Sequence, residues 1–356
     1  MPNTIHGYYL YGYYREILGA HAEAMAAPIP NPSRCPIRAI MLWMRILVVG
    51  AGATGGYYGA RLAQADRDVT FLLRGERAAA VRAGGLRLTG QGADEIVPVQ
   101  VVTAAELSGP YDLVLLAVGN GALDAAADDM AAAVGPRTLI VPFLNGMGHM
   151  DRLNERFGRS AVLGGVVLAM RQLGERGEII SLLPAAKLTI GAQPGPDQPD
   201  LTNVTAALDV PGFDLVVSDH IIADMWSKWV FISTLAALTC LMRGNVGEIA
   251  SAPGGAELAP AFLAETSAIA AAWGFPVPAG DARAYTATFT SKGSALTASL
   301  YRDVLIGRPT ESDYVLDDLV RRARARDVET PLLELAALQL RIYNARARGA
   351  RATQRA

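Results

Sequence analysis

The chain has 356 residues, 51% hydrophobic and 19% charged, with a formal net charge of −2. This composition excludes a disordered chain and gives no electrostatic case for nucleic acid, so a small-molecule partner is expected. The length exceeds what one hydrophobic core usually sustains, which predicts two domains and a tail.

Residues 1–43 carry a tyrosine cluster (Tyr8, Tyr9, Tyr11, Tyr13, Tyr14) and an Ala- and Pro-rich stretch at 26–36, without strand or helix period. Arg15, Glu16 and Glu23 interrupt the apolar stretch that an export signal needs. The segment reads as an unstructured extension or as sequence upstream of a start at Met41 or Met44, a partner-binding arm being the other reading. Cys35 and Cys240 are the only cysteines and lack metal-ligand spacing, so neither a disulfide framework nor a metal site is expected, and a reducing cytoplasm fits. No apolar run is expected to span a bilayer, since Asp209, Asp214, Asp219, His220, Asp224 and Lys228 interrupt residues 205–229.

Residues 45–49 (RILVV) form the first predicted strand, a run suited to burial on both faces of a parallel sheet. A glycine loop follows, then a helix from Thr54 and a strand at 69–73, which together make one βαβ unit. Strands at 112–118 and 138–143, with a crossover helix over 122–134, continue the sheet; runs at 161–169, 178–183 and 187–190 read as strands joined by tight turns at one edge. Beyond Asp219 the period becomes helical, predicting helices at Ile221–Met242, 260–273, 282–305 and 311–326, with breaks at 244–255 and 275–280. Thr330 and Pro331 read as the cap and first position of a last helix to about Ala347, and the basic end from Arg346 reads as frayed. The expected fold class is α/β: a Rossmann-type N-terminal domain with a mostly parallel sheet over 44–217, then an all-helical domain over 218–347 and a basic tail at 348–356.

Gly50, Ala51, Gly52, Ala53, Thr54 and Gly55 spell G-x-G-x-x-G between a buried strand and a helix. Gly50 makes the tight turn, Gly52 lets backbone approach a pyrophosphate, and Gly55 lets helix and sheet pack closely; the helix N-terminus supplies unpaired N–H donors. After the second strand an NAD enzyme usually carries an acid for the ribose, whereas here Arg74 stands. A guanidinium there pairs with a 2′-phosphate, so NADP(H) is the expected cofactor, with Arg77 as a second contact; Glu76 directed at the ribose would restore NAD.

Residues after the strands face the ligand in open α/β sheets, which singles out Gly119, Asn120 and the turn at 144–148 (LNGMG). Asn145 holds a cofactor or substrate oxygen there, or serves simply as a turn residue. Lys228 lies in an apolar helix, where burial would bring its pKa into the range of a general acid; a lysine reaching to solvent is the plainer reading. Glu311 opens a helix, where capping alone would explain it. His149 is an alternative proton donor, or a first-turn helix residue.

From about Met44 to Arg341 the chain resembles the ketopantoate (2-dehydropantoate) 2-reductase family, in the loop GAGATG, Arg74, LNGMG at 144–148, Trp226-x-Lys228, Leu238-Thr239 and GRPTESDY at 307–314. The resemblance implies NADPH between a Rossmann-type domain and a helical domain, and reduction of 2-dehydropantoate to pantoate, a step of pantothenate biosynthesis. It implies Lys228 as proton donor to the ketone oxygen and Asn145 in contact with cofactor and substrate. It further implies Glu311 at the cofactor ribose, Ser299 at the substrate carboxylate and Met170 as a backbone cofactor contact. Departures from the pattern are Gly119 where a lysine is common, and Ile232, Ala236 and Val246 where the family carries substrate-binding asparagines, the last beside Asn245. Those changes leave open a more apolar 2-oxo acid, or a catalytically silent NADP(H)-binding sensor. The sequence admits a homodimer.

Overall fold

The computed structural model describes residues 44–355, so the expectations for the N-terminal extension and Cys35 lie outside the described residues. The described chain divides into a sheet unit, from its start to Leu144 and over Arg152–Ile221, and a helical unit formed by Asn145–Asp151 and the chain from Ile222.

The sheet unit runs β1 (Ile46–Val49), α1 (Ala53–Gln64), β2 (Val69–Leu72), α2 (Gly75–Gly84), β3 (Leu86–Gly90), β4 (Ala93–Val97), β5 (Gln100–Val102), β6 (Tyr111–Leu116), α3 (Leu123–Asp129) and β7 (Val134–Pro142). After α4 (Gly148–Phe157), within which the two units divide, come β8 (Gly164–Leu173), β9 (Ile179–Gly191), α5 (Thr202–Leu208) and β10 (Asp214–Val217). One sheet is all parallel in the order β5-β2-β1-β6-β7, with Ile46 beside Val69 and Leu113. Its strands thus run third, second, first, fourth, fifth, the doubly wound order whose direction reverses between β1 and β6. Ile46, Leu47 and Val48 are wholly buried, as the unbroken apolar run requires of a central strand.

The run at 161–169 extends that sheet at its start, where Val162 bridges Ile140 of β7 in parallel, but the greater part of the runs at 161–190 lies elsewhere. It belongs to a second sheet, β10-β9-β3-β4, in which β8 pairs antiparallel with β9. The runs at 178–183 and 187–190 are one strand, β9, whose register against β8 slips around Ala169 and Arg171. Pro184, which has no N–H for the ladder, lies opposite this irregularity. The hairpin β3–β4 was missed by the sequence reading because charges fill its outer positions, Arg87 bonding Asp94 across the strands.

The helical unit holds α6 (Ile221–Met242), α7 (Val246–Ser251), α8 (Gly255–Ala272), α9 (Ala279–Phe289), α10 (Ser299–Leu305), a π-helical turn at Asp313–Asp317 running into α11 (Asp318–Arg324), and α12 (Pro331–Arg355). Three expectations change here. The supposed break at 244–255 contains α7, begun by a reciprocal capping box between Asn245 and Glu248. The single helix expected over 282–305 is two, α9 and α10, interrupted around Gly293, whose φ is +78°. The end from Arg346 is helical through Arg355 rather than frayed.

α12 begins at Pro331 as expected, yet Thr330 does not cap it. Its buried hydroxyl has no partner, and Glu265 of α8 accepts from the N–H groups of Leu332 and Leu333 instead, at 3.0 and 2.8 Å. α6 also corrects the view that no segment is long and apolar enough to cross a membrane, for its length and composition suffice. In this fold Trp226, Trp229, Val230 and Leu238 of α6 are instead buried in protein.

Candidate active site

The glycine loop closes the carboxyl end of β1 where the strand order reverses. Gly50 has φ +98°, and a Cβ there would lie 2.8 Å from the Ala117 carbonyl oxygen just past β6. A Cβ on Gly55 would meet the Gly50 carbonyl and the Ala117 methyl, so both glycines are required by close packing. Gly52 differs, since a Cβ there would stand in open space. Gly52 is the N-cap of α1, no side chain caps that helix and its first turn has no acid. Unpaired N–H donors therefore face an open cradle beside Ala53 and Thr54, which fits a dinucleotide pyrophosphate.

Of the two arginines beyond β2, Arg77 supports the loop itself. Its Nε and Nη2 donate to the Ala51 carbonyl at 3.2 and 2.9 Å, and burial lowers its pKa. Arg74 is already engaged: Nε donates to Asp129 at 2.5 Å and Nη2 to the Ala125 carbonyl at 2.6 Å, while the side chain stays 54% exposed. The sequence reading placed Arg74 at a free phosphate site and overlooked Asp129, an acid 55 residues away with no local signal. Met170 is half-buried within β8 at the register slip, rather than after a strand end.

Gly119 and Asn120 stay in the sheet unit, whereas Asn145, His149, Lys228 and Glu311 fall in the helical unit, which gathers three separated segments. In the first, Gly146 at φ +82° presses on α6 and the π-turn: a Cβ there would come 2.6 Å from the Tyr314 carbonyl and 3.8 Å from Trp229. In the second, the Trp229 indole of α6 donates to the Val315 carbonyl at 2.9 Å, and Ser233 donates to the same oxygen. That double acceptance ties the π-turn to α6, a local irregularity of the kind found at functional sites. Glu311 lies two residues before this third segment and is half-buried. The Asn145 backbone and the Lys228 charge both act on the pKa of His149.

Lys228 is half-buried, and desolvation draws its pKa down to about 8. Among the described residues no carboxylate pairs with it. The side chain is only partly in water. His149 is 1% exposed, and burial, with Lys228 and Arg322 nearby, holds its pKa at about 3. A ring so depressed is neutral at working pH.

Around Arg322 lies a charge cluster that sequence reasoning did not find. Arg322 of α11 donates to Asp151 of α4 at 2.5 Å and pairs with Asp318, whose side chain is 3% exposed. Its guanidinium carbon is 5.1 Å from the Trp273 ring, 5.7 Å from Trp229 and 5.9 Å from Trp226. Arginines in a run such as RRARAR give no sign of which one turns inward. Along α6, Ile232 is half-buried and Ala236 buried, one and two turns from Lys228 on the same face. Ser299 stands exposed at the start of α10, and nothing in the geometry links it to Lys228.

A doubly wound sheet with an open glycine cradle, followed by a helical unit carrying a desolvated lysine, defines the class of two-domain nicotinamide-type oxidoreductases. Residues 46–195 match the family model described as ketopantoate reductase PanE/ApbA, and residues 220–344 its C-terminal counterpart. The chain belongs to the ketopantoate reductase (PanE/ApbA) family, oxidoreductases acting on a CH–OH group. It is 29% identical over 303 residues to the uncharacterized oxidoreductase YkpB of Bacillus subtilis, covering 85% of this chain and 99% of that one. It is 28% identical over 313 residues to a 2-dehydropantoate 2-reductase of Mesorhizobium japonicum, with 82% and 95% covered. The ternary structure of D-mandelate dehydrogenase with NADH and anilino(oxo)acetate superposes with TM-score 0.78 at 18% identity, over 86% of this chain and all of that one, a likeness of fold.

Proposed function

We propose that the protein reduces 2-dehydropantoate to pantoate with NADPH, Lys228 supplying the proton. The observation that carries this reading is the state of Lys228: a desolvated ammonium without a carboxylate partner, its pKa near 8, stays mostly protonated at neutral pH yet gives up its proton readily. With its pyrophosphate held by Gly50–Gly55, a bound nicotinamide cofactor would supply the hydride to C2 of the substrate. The carbonyl electron pair moves to oxygen, the Lys228 ammonium stabilises the developing charge and transfers its proton, and solvent reprotonates the amine. Asn145, on the turn fixed by Gly146 against Tyr314, orients cofactor and substrate oxygen. In this reading Gly50–Gly55 hold the pyrophosphate, Arg74 the 2′-phosphate, Glu311 the cofactor ribose, Met170 a backbone contact and Ser299 the substrate carboxylate.

Ile232 and Ala236 favour a second substrate. They put alkyl groups one and two turns from Lys228, where a hydroxyl-bearing substrate would find no hydrogen-bond partner, and so support a 2-oxo acid with an apolar side chain. Supplying NADPH with a panel of 2-oxo acids and following loss of nicotinamide absorbance separates the two. A wide preference for 2-dehydropantoate supports the first, preference for branched or aromatic 2-oxo acids the second, and indifference to all of them sinks the reductase assignment.

A further inference from the structure

Two arginines follow β2, and both are spoken for. Arg77 gives two of its donors to the Ala51 carbonyl and so belongs to the loop. Arg74, the extended N-cap residue of α2, gives Nε to Asp129 and one Nη2 hydrogen to Ala125, both acceptors lying on α3. A guanidinium has five N–H groups, so the Nη1 pair and one Nη2 hydrogen remain. The Arg74 side chain is 54% exposed and that of Asp129 is 24% exposed. An ion pair so open to water contributes little to stability, which leaves its effect on Arg74 as its main consequence.

That effect is twofold. Anchoring one edge of the guanidinium to α3 fixes where the free edge points. At the same time the carboxylate cancels the Arg74 charge, so an incoming phosphate dianion meets a neutral pair, with Glu76 adding negative charge in the first turn of α2. Resting on the NADP(H) reading above, we propose that Asp129 is a specificity-determining residue: it offsets the charge of Arg74 and so limits how strongly a 2′-phosphorylated adenosine is preferred over an unphosphorylated one. Asparagine keeps an acceptor for Nε and removes only the charge, which makes Asp129→Asn the diagnostic change.

Calorimetric titration of the full-length protein with 2′,5′-ADP and with 5′-AMP tests this directly, with melting curves confirming that each variant folds. Asp129→Asn is expected to tighten 2′,5′-ADP about two- to fivefold, the range an exposed charge pair commands, leave 5′-AMP unchanged, and lose its gain as salt rises. Unchanged or weakened binding of 2′,5′-ADP overturns the proposal. Arg74→Ala tests the underlying reading independently: it is expected to abolish the preference for 2′,5′-ADP, and a preference that survives it refutes Arg74 as the phosphate ligand whatever Asp129→Asn shows.

Discussion

The two units handle charge in opposite ways. In the sheet unit the glycine cradle offers backbone N–H groups at a helix N-terminus, donors that are neutral, rigid and open, and so cost nothing to leave waiting for an anion. In the helical unit, Lys228 is held as a desolvated cation and Arg322 is enclosed by three indoles and two carboxylates. Binding is served by dipoles that need no desolvation. In the proposed function, proton transfer falls to a charge kept where it is uncomfortable, and the surroundings must offset that cost.

Lys228→Met is the sharpest way to break this contrast. Losing the general acid should lower reductive turnover by roughly 10²–10⁴-fold, with cofactor binding, followed by fluorescence, retained. Stability should move the other way. The folded-state pKa lies below the unfolded one, so between about pH 8 and 10.5 the unfolded chain binds the extra proton. Below pH 8 the lysine therefore destabilises the fold by its full amount, and the penalty fades as pH rises toward 10.5. Removing it should raise neutral-pH stability by roughly 2–4 kcal/mol. In the parent, reductive kcat should fall as pH rises through about 8. A mutant that is inactive but also less stable would show that Lys228 is not the strained group described here.

Arg322→Met addresses what offsets the strain. It would leave the Asp318 carboxylate buried without its principal counter-ion, and burial already raises the pKa of Asp318. A loss of about 3–5 kcal/mol by denaturant titration is expected, most of it regained in Arg322→Met/Asp318→Asn. If the double variant melts no higher than the single one, the pair is not coupled and the cluster does not act as a unit.

This contrast also explains what could be read from the sequence. The cradle is contiguous, its six residues falling between a strand and a helix, so order and spacing alone announce it; the βαβ order and the shift to helical period announce the two kinds of unit. Lys228 and Asn145 stood out as polar residues in apolar or glycine-rich surroundings. Asp129, Asp151, Asp318 and Arg322 did not, because each is an ordinary charged residue on a helix and only tertiary packing pairs them. The π-turn at Asp313–Asp317 was hidden for a similar reason: its widened spacing follows from Trp229 and Ser233 donating to Val315, a contact across 82–86 residues.

Gly52 and Gly55 allow a smaller test within the cradle. Gly55→Ala drives a methyl into the Gly50 carbonyl and Ala117, so it should destabilise the sheet unit by about 1–3 kcal/mol along with binding. Gly52→Ala meets nothing in the protein and should leave the melting temperature in place while weakening dinucleotide binding, since the methyl enters the space the pyrophosphate needs. Equal affinity for Gly52→Ala and parent would mean that the open side of the loop is not where the ligand sits.

The smallest effect is expected at His149, and it bears on whether the helical unit contains one acid or two. With its pKa near 3, the ring is buried and neutral across the working range. His149→Phe keeps a ring and removes both nitrogens, a change that is nearly neutral when a polar group is exchanged for an apolar one of similar shape. Turnover should stay well within the roughly hundredfold loss that marks a missing general acid, and the alkaline limb near pH 8 should persist, because it belongs to Lys228. Loss of that limb in His149→Phe would instead place the imidazole in the proton path, with Lys228 acting only as a fixed charge.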